Sequence, residues 1–235
     1  MLAKSGSVLP VKELLEAGGP VLWVQLALAF FAVVLTLERL LFFQTMKTSV
    51  PYLLKGLQVH INRQAYAEAQ LEASRERGPA ARVAHSTLIR HYLPRTNLRE
   101  VAEESVRIEV PRIERNLRAL FAVAMLAPLT GLLGTALGLL DVFGSIVEMG
   151  STVAQSTLAR GIFESLVTTV VGLTIATGAY SAYLVLFAKA RQLLGDLERT
   201  GIEMVNLISD ARDQAEVVLM REKMAESAPR RSARG

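Results

Sequence analysis

Two apolar stretches of this chain carry oxygen-bearing side chains where plain leucine would serve. One, from about Ala119 to Ile146, holds Thr130, Thr135 and Asp141; the other, from about Gly161 to Ala188, holds Glu164, Thr168 and Thr169. Each stretch is long enough for a helix to cross a bilayer. A carboxyl group at hydrocarbon depth costs on the order of a few kcal/mol, less near an interface, so each one asks for a reason. A lone threonine in such a helix bonds its hydroxyl back to a carbonyl one turn earlier, and that needs no function. Four threonines and two carboxyls on two neighbouring stretches instead suggest a hydrated route for a cation, with Glu164 suited to proton relay. The set lacks the extra oxygen ligands expected for sodium, so the expected ion is a proton. On an ideal helix Glu164 stacks above Thr168, and Ser165 above Thr169, with Gly172 at the same pitch. Gly131, Gly134 and Gly138 fall about one turn apart and share a face with Thr135; in lipid, such a face lets two helix backbones approach closely.

The elements that must hold these residues are helical. The chain has 235 residues, is 51% hydrophobic and carries a net charge of +4. Its mean hydropathy of +0.33 suits a membrane protein with sizeable aqueous parts. There is no cysteine, so disulfides and thiolate metal sites are excluded. His60, His85 and His91 lack metal-ligand spacing, and neither a P-loop, a dinucleotide fingerprint nor a nucleophile elbow occurs. No enzyme, metal or cofactor is expected. The basic residues interleave with acids, which speaks for membrane orientation rather than nucleic acid.

The expected fold is an all-α membrane protein with three transmembrane helices, at residues 20–43, 119–146 and 161–188. Residues 1–19 precede the first span, with a short amphipathic helix over Val11–Ala17. Residues 44–118 form a polar helical loop. There the pattern predicts a helix over Tyr52–Arg77, another over Ala80–Tyr92, and a third capped by Asn97 with Glu100, kinked at Pro111 and running into the second span. Residues 147–160 connect the last two spans. Residues 189–225 continue as an amphipathic helix, and 226–235 form a disordered tail. Lys47, Arg112, Arg115 and Arg118 flank the polar loop, and Lys189 and Arg191 begin the tail; the short connection offers only Arg160. The loop and tail are therefore expected in the cytoplasm, with the N-terminus facing out. Glu38-Arg39, which closes the first span, is either a headgroup-level charge pair or an interhelical contact.

The run Ala127-Pro128-Leu129-Thr130-Gly131-Leu132-Leu133-Gly134-Thr135, followed by Gly138 and Phe143, resembles the second-span signature of the ExbB/TolQ/MotA proton-channel family. The run Arg160-Gly161-Ile162-Phe163-Glu164-Ser165-Leu166-Val167-Thr168-Thr169, followed by Gly172-Leu173, resembles its third-span signature. Glu38-Arg39 matches the pair that ends the first span in many members, and the three-span layout is similar to the ExbB/TolQ branch. The resemblance implies a bacterial inner-membrane protein that forms a ring, commonly a pentamer, around a dimer of single-span ExbD/TolR-like partners. A membrane aspartate on the partner would take up and release protons. Thr135 and Thr169 would be the pore threonines facing it, and Glu164 the third-span carboxylate. Ring packing would use Gly131, Gly134 and Gly138. The work would pass to a TonB/TolA-like transducer or another energised envelope process. Two positions depart from the family pattern: Gly178 and Leu184 stand where a proline and an asparagine are usual. Asp141 has no counterpart to carry over. The competing expectation is a membrane scaffold that uses the same helices for assembly and conducts nothing.

Overall fold

The computed structural model describes residues 19–46, 50–149 and 155–227. The helix expected over Val11–Ala17, the centre of the 147–160 connection and the tail from residue 228 lie outside the described residues. Within them, all regular structure is helical. The helices are α1 (Gly19–Thr45), α2 (Val50–Asn62), α3 (Tyr66–Arg75), α4 (Pro79–Ile89), α5 (Arg95–Met149) and α6 (Gln155–Ser227). Three of them, α1, α5 and α6, are long and apolar enough to cross a membrane. At 1.5 Å per residue the 55 residues of α5 and 73 of α6 give contours of roughly 80 and 110 Å. A hydrocarbon core is only about 30 Å thick, so both helices continue well beyond it.

The chain divides into two compact units. Of the described residues, the first comprises those up to Phe42 together with those within Glu114–Ala188; the second comprises those within Phe43–Ile113 and those from Lys189 onward.

In the first unit many large apolar side chains point outward, although Leu22, Leu117, Leu120 and Leu186 are buried. Phe30 and Leu140 are each 66% exposed, whereas Ala124, Ala127, Ser165 and Ala179 are buried. This inverts the pattern of a water-soluble bundle and suits a lipid surround, where small residues mediate helix contact. Arg39 is 1% exposed and lies over the Phe42 ring, 4.7 Å from its centroid. Its Nε donates to Glu38 Oε2 at 2.9 Å, and the same oxygen accepts from Asn116 Nδ2 at 2.7 Å. Glu38-Arg39 is thus an interhelical contact that ties α1 to α5.

The second unit buries Leu57 and Ile61 of α2, Val83 and Leu88 of α4, Leu98 of α5, and Leu197, Met204 and Ile208 of α6. Leu57 and Ile61, and Met204 and Ile208, lie one turn apart, and Leu197 and Met204 two turns apart, the spacing of amphipathic helices closing on a shared core. Two expectations change here. The helix expected over Tyr52–Arg77 is two helices, because the chain turns at Arg63–Ala65, where Gln64 takes a φ of 59°. The Ala65 N–H donates to His60 O at 3.0 Å, and Gln64 Nε2 donates to Ala211 O at 2.8 Å. That tertiary bond holds a left-handed conformation otherwise favoured by glycine. Asn97 is not the cap of α5. The helix starts at Arg95, and the Leu98 N–H donates to Pro94 O at 2.9 Å. As expected, one helix, α5, runs through Pro111 into the second apolar stretch.

One buried carboxylate organises this unit. Glu109, 5% exposed at its side chain, accepts from Arg82 Nε at 2.8 Å and Nη2 at 2.6 Å, and from Arg112 Nη1 at 3.0 Å. The hydrogen bond from Arg82 to Glu109 raises the guanidinium's pKa further. Such a two-pronged match fixes geometry as well as charge.

Candidate ion-pathway site

The site begins with glycines. A Cβ added at Gly134 would lie 2.5 Å from Thr168 Oγ1, and one at Gly138 would lie 2.7 Å from Ser165 Cβ. At Gly131 it would lie 3.0 Å from the Thr168 carbonyl oxygen, and at Gly172 2.6 Å from that of Ala127. The backbones of α5 and α6 therefore touch along one line, as small residues permit in lipid. The glycine face expected to serve ring packing is filled by this chain's own α6 and by Gln25.

That close approach sets the distance between two hydroxyls. Thr135 Oγ1 on α5 and Thr169 Oγ1 on α6 are in hydrogen-bond contact, and both residues are half-buried. Thr135 Oγ1 also lies 3.0 Å from Ser165 O and 3.2 Å from Gly131 O. Thr169 Oγ1 lies 3.2 Å from the same Gly131 O. Each hydroxyl has one proton to give and can accept. In one arrangement Thr135 donates to Thr169, which donates to Gly131 O. In the other Thr169 donates to Thr135, which donates to Ser165 O. The direction of the bond between the hydroxyls can therefore reverse while every heavy atom stays in place.

The other oxygens fall into different settings. Thr168 is 3% exposed and donates to Ser165 O at 2.8 Å, beneath Gly134. Thr130 donates to Ala127 O at 2.8 Å. Both make the back-bond an ordinary membrane threonine makes. Glu164 accepts from Arg160 Nε at 2.9 Å. It lines, with exposed Asp141, Ser145 and Gly161, a cleft of about 170 Å³. Glu164 and Thr169 are five residues apart on α6, about 7.5 Å along its axis. The structure thus joins Thr135 to Thr169 and places Glu164 beside Asp141 as a second group.

The sequence reading passed over one residue of this site. Gln25 of α1 is fully buried, and its Nε2 donates to Thr168 O at 2.7 Å. A signal is present in the sequence: an amide inside the first apolar stretch, between Val24 and Leu26, where a polar side chain asks for a partner. Among the described residues no group of three or more side chains could hold a metal ion.

The sequence profile of the MotA/TolQ/ExbB proton channel family matches residues 72–199. The chain belongs to that family. It is 31% identical over 192 residues to an ExbB-like biopolymer transport protein of Synechocystis, a match covering 77% of this chain and 90% of that protein. It is 23% identical over 167 residues to an ExbB homologue of Methanothermobacter thermautotrophicus, covering 71% of this chain but 59% of the relative. A third relative, the biopolymer transport protein exbB1 of Vibrio cholerae, is 35% identical over 91 residues, covering 39% of this chain and 40% of its own length. With three apolar helices, this member of the MotA/TolQ/ExbB family is a multi-pass membrane protein. The profile match contains Thr135, Thr169, Glu164 and the four packing glycines; Gln25 lies outside it.

Proposed function

We propose that this protein is a proton-channel subunit of an energy-transducing membrane motor, with Thr135 and Thr169 lining the path. The observation that carries this reading is the hydroxyl pair joined across α5 and α6, whose bond can run either way. Such a pair can donate to or accept from a passing proton carrier by turn, and an anchor has no need of it. In this reading several copies form a ring, with the polar loop and the α6 extension in the cytoplasm. A dimer of single-span partners sits inside it and supplies the carboxylate that carries the proton past the threonines. Moving one charge through about 100 mV releases about 2.3 kcal/mol for mechanical work. The outward-facing apolar side chains of α1, α5 and α6 support either lipid or neighbouring copies as their cover. Glu164 and Asp141, in their cleft with Arg160, serve as the outer charged group through which protons reach the pair.

The test is purification from native membranes, mass determination of the complex, and proton flux in liposomes. A small single-span protein carrying a membrane aspartate should co-purify, and flux should require it. A complex of this chain alone that conducts nothing, with threonine substitutions silent, would leave the scaffold reading in its place.

A further inference from the structure

We infer that Gln25 is a positioning residue for the threonine pair, so that the pathway is built from three helices rather than two. This rests on the proton-channel reading above. Three observations lead to it. Gln25 is 0% exposed, and its Nε2 donates at 2.7 Å to the carbonyl of Thr168, the residue directly before Thr169. The same nitrogen lies 3.0 Å from where a Cβ would stand on Gly172 and 3.4 Å from where one would stand on Gly131. The amide thus fills the notch that the two glycines leave between α5 and α6. Its Oε1 is buried without a hydrogen-bond partner among the described residues.

The last point decides between packing and positioning. A buried amide with one acceptor unsatisfied is a poor way to hold helices together, and a leucine of similar length would fill the notch at lower cost. The orientation of the amide is fixed as well, because the opposite one would set carbonyl oxygen against carbonyl oxygen. What the amide does that leucine could not is anchor the Thr168 carbonyl. Thr169 follows directly on α6, and Gly131, whose carbonyl accepts from Thr169 at 3.2 Å, lies against the same amide. Gln25 therefore braces both the helix that carries Thr169 and the residue whose carbonyl accepts the Thr169 hydrogen bond. The groups within reach of its nitrogen are Thr168 O, Gly131 and Gly172, none of which titrates.

The experiment compares Gln25→Leu, Gln25→Asn and Gln25→Glu in the full chain, purified with whatever partner accompanies it and assayed for proton flux in liposomes. Flux is expressed relative to wild type at the same pH and per assembled complex. Leu and the shorter Asn cannot donate to Thr168 O, and each should lower flux about tenfold, the worth of one such bond. Gln25→Glu should retain flux on the acid side of its own titration, followed by its carboxyl infrared band, where the O–H still donates. It should lose flux on the alkaline side. Assembly and the denaturation midpoint are measured on the same sample at both pH values, so a flux loss that merely follows loss of structure is told apart from loss of the donated bond and overturns the inference. A residue that only packs would give a Glu variant with a flat ratio, or a Leu variant at wild-type flux, and either result overturns the inference. Flux absent from wild type overturns the proton-channel reading itself, so the two failures are distinct.

Discussion

Removing one hydroxyl from the threonine pair should separate conduction from folding. In Thr135→Val, Thr169 keeps Gly131 O as an acceptor at 3.2 Å; in Thr169→Val, Thr135 keeps Ser165 O at 3.0 Å. Neither change strands a buried donor, so stability should fall by about 0.6 kcal/mol and by no more than about 1.7, the range for polar contacts between membrane helices. Transport should respond more strongly. A relay that meets a methyl group in place of an O–H lacks one partner at about 1–3 kcal/mol, which converts to a loss of roughly 5- to 160-fold in rate. The double variant should be hardly worse than the worse single one, because residues acting as a unit are not additive. Thr→Ser at either position should restore flux. The assay is proton flux into liposomes, with the amount of assembled complex and its denaturation midpoint measured on the same samples. Valine variants that conduct at the wild-type rate would refute the reasoning. So would flux losses that simply follow a loss of assembly, or a double variant whose losses multiply.

Three other outcomes follow from the same structure. Gly134→Ala should destabilise the protein by about 1–3 kcal/mol, since its Cβ would meet three atoms of Thr168 at 2.5–3.1 Å. Gly178→Ala, with nothing within 4 Å, should be neutral or stabilise by up to about 1 kcal/mol; denaturation in detergent compares the two. Arg82→Leu should cost the second unit about 1–3 kcal/mol in thermal unfolding, because it removes two of the hydrogen bonds to buried Glu109. Arg112→Leu should cost less, its side chain being 61% exposed. Burial pushes the Tyr66 hydroxyl above its ordinary pKa of 10.0, against the opposing pull of Arg212. The folded chain therefore holds this proton more tightly than the unfolded one. Its contribution is complete below the unfolded value and is lost as pH rises through the folded value. Stability should thus decline on the alkaline side of 10.0, and Tyr66→Phe should flatten that decline in an alkaline unfolding series.

The spans were legible because length and hydropathy suffice to find them, and the glycine line because small residues one turn apart leave few other uses in lipid. The break at Arg63–Ala65 was not legible. It contains no glycine or proline, and what holds it is a bond from Gln64 to Ala211, far away in the chain. The start of α5 was misplaced for a related reason. Asn97 has a capping side chain, but the fold uses the Pro94 carbonyl one turn earlier. At the site, helix periodicity could show which threonines share a helix face but not which meet across helices. Thr168 and Thr169 are adjacent in sequence, yet one is sealed beneath Gly134 and the other faces Thr135. Gln25 escaped because a single amide in a span has no periodicity to betray it.

The glycines and the threonines are one device. Were Gly134 alanine, Thr168 would have to move, and the neighbouring Thr169 with it, so the hydroxyl contact depends on the absence of a carbon atom elsewhere. For the same reason the glycines cannot decide between a conducting subunit and a scaffold: both need α5 and α6 in contact. Only the hydroxyls and the Gln25 amide divide the two readings, since neither is required for the contact itself. A scaffold would tolerate valine and leucine there, whereas a proton path would keep its packing and stop conducting.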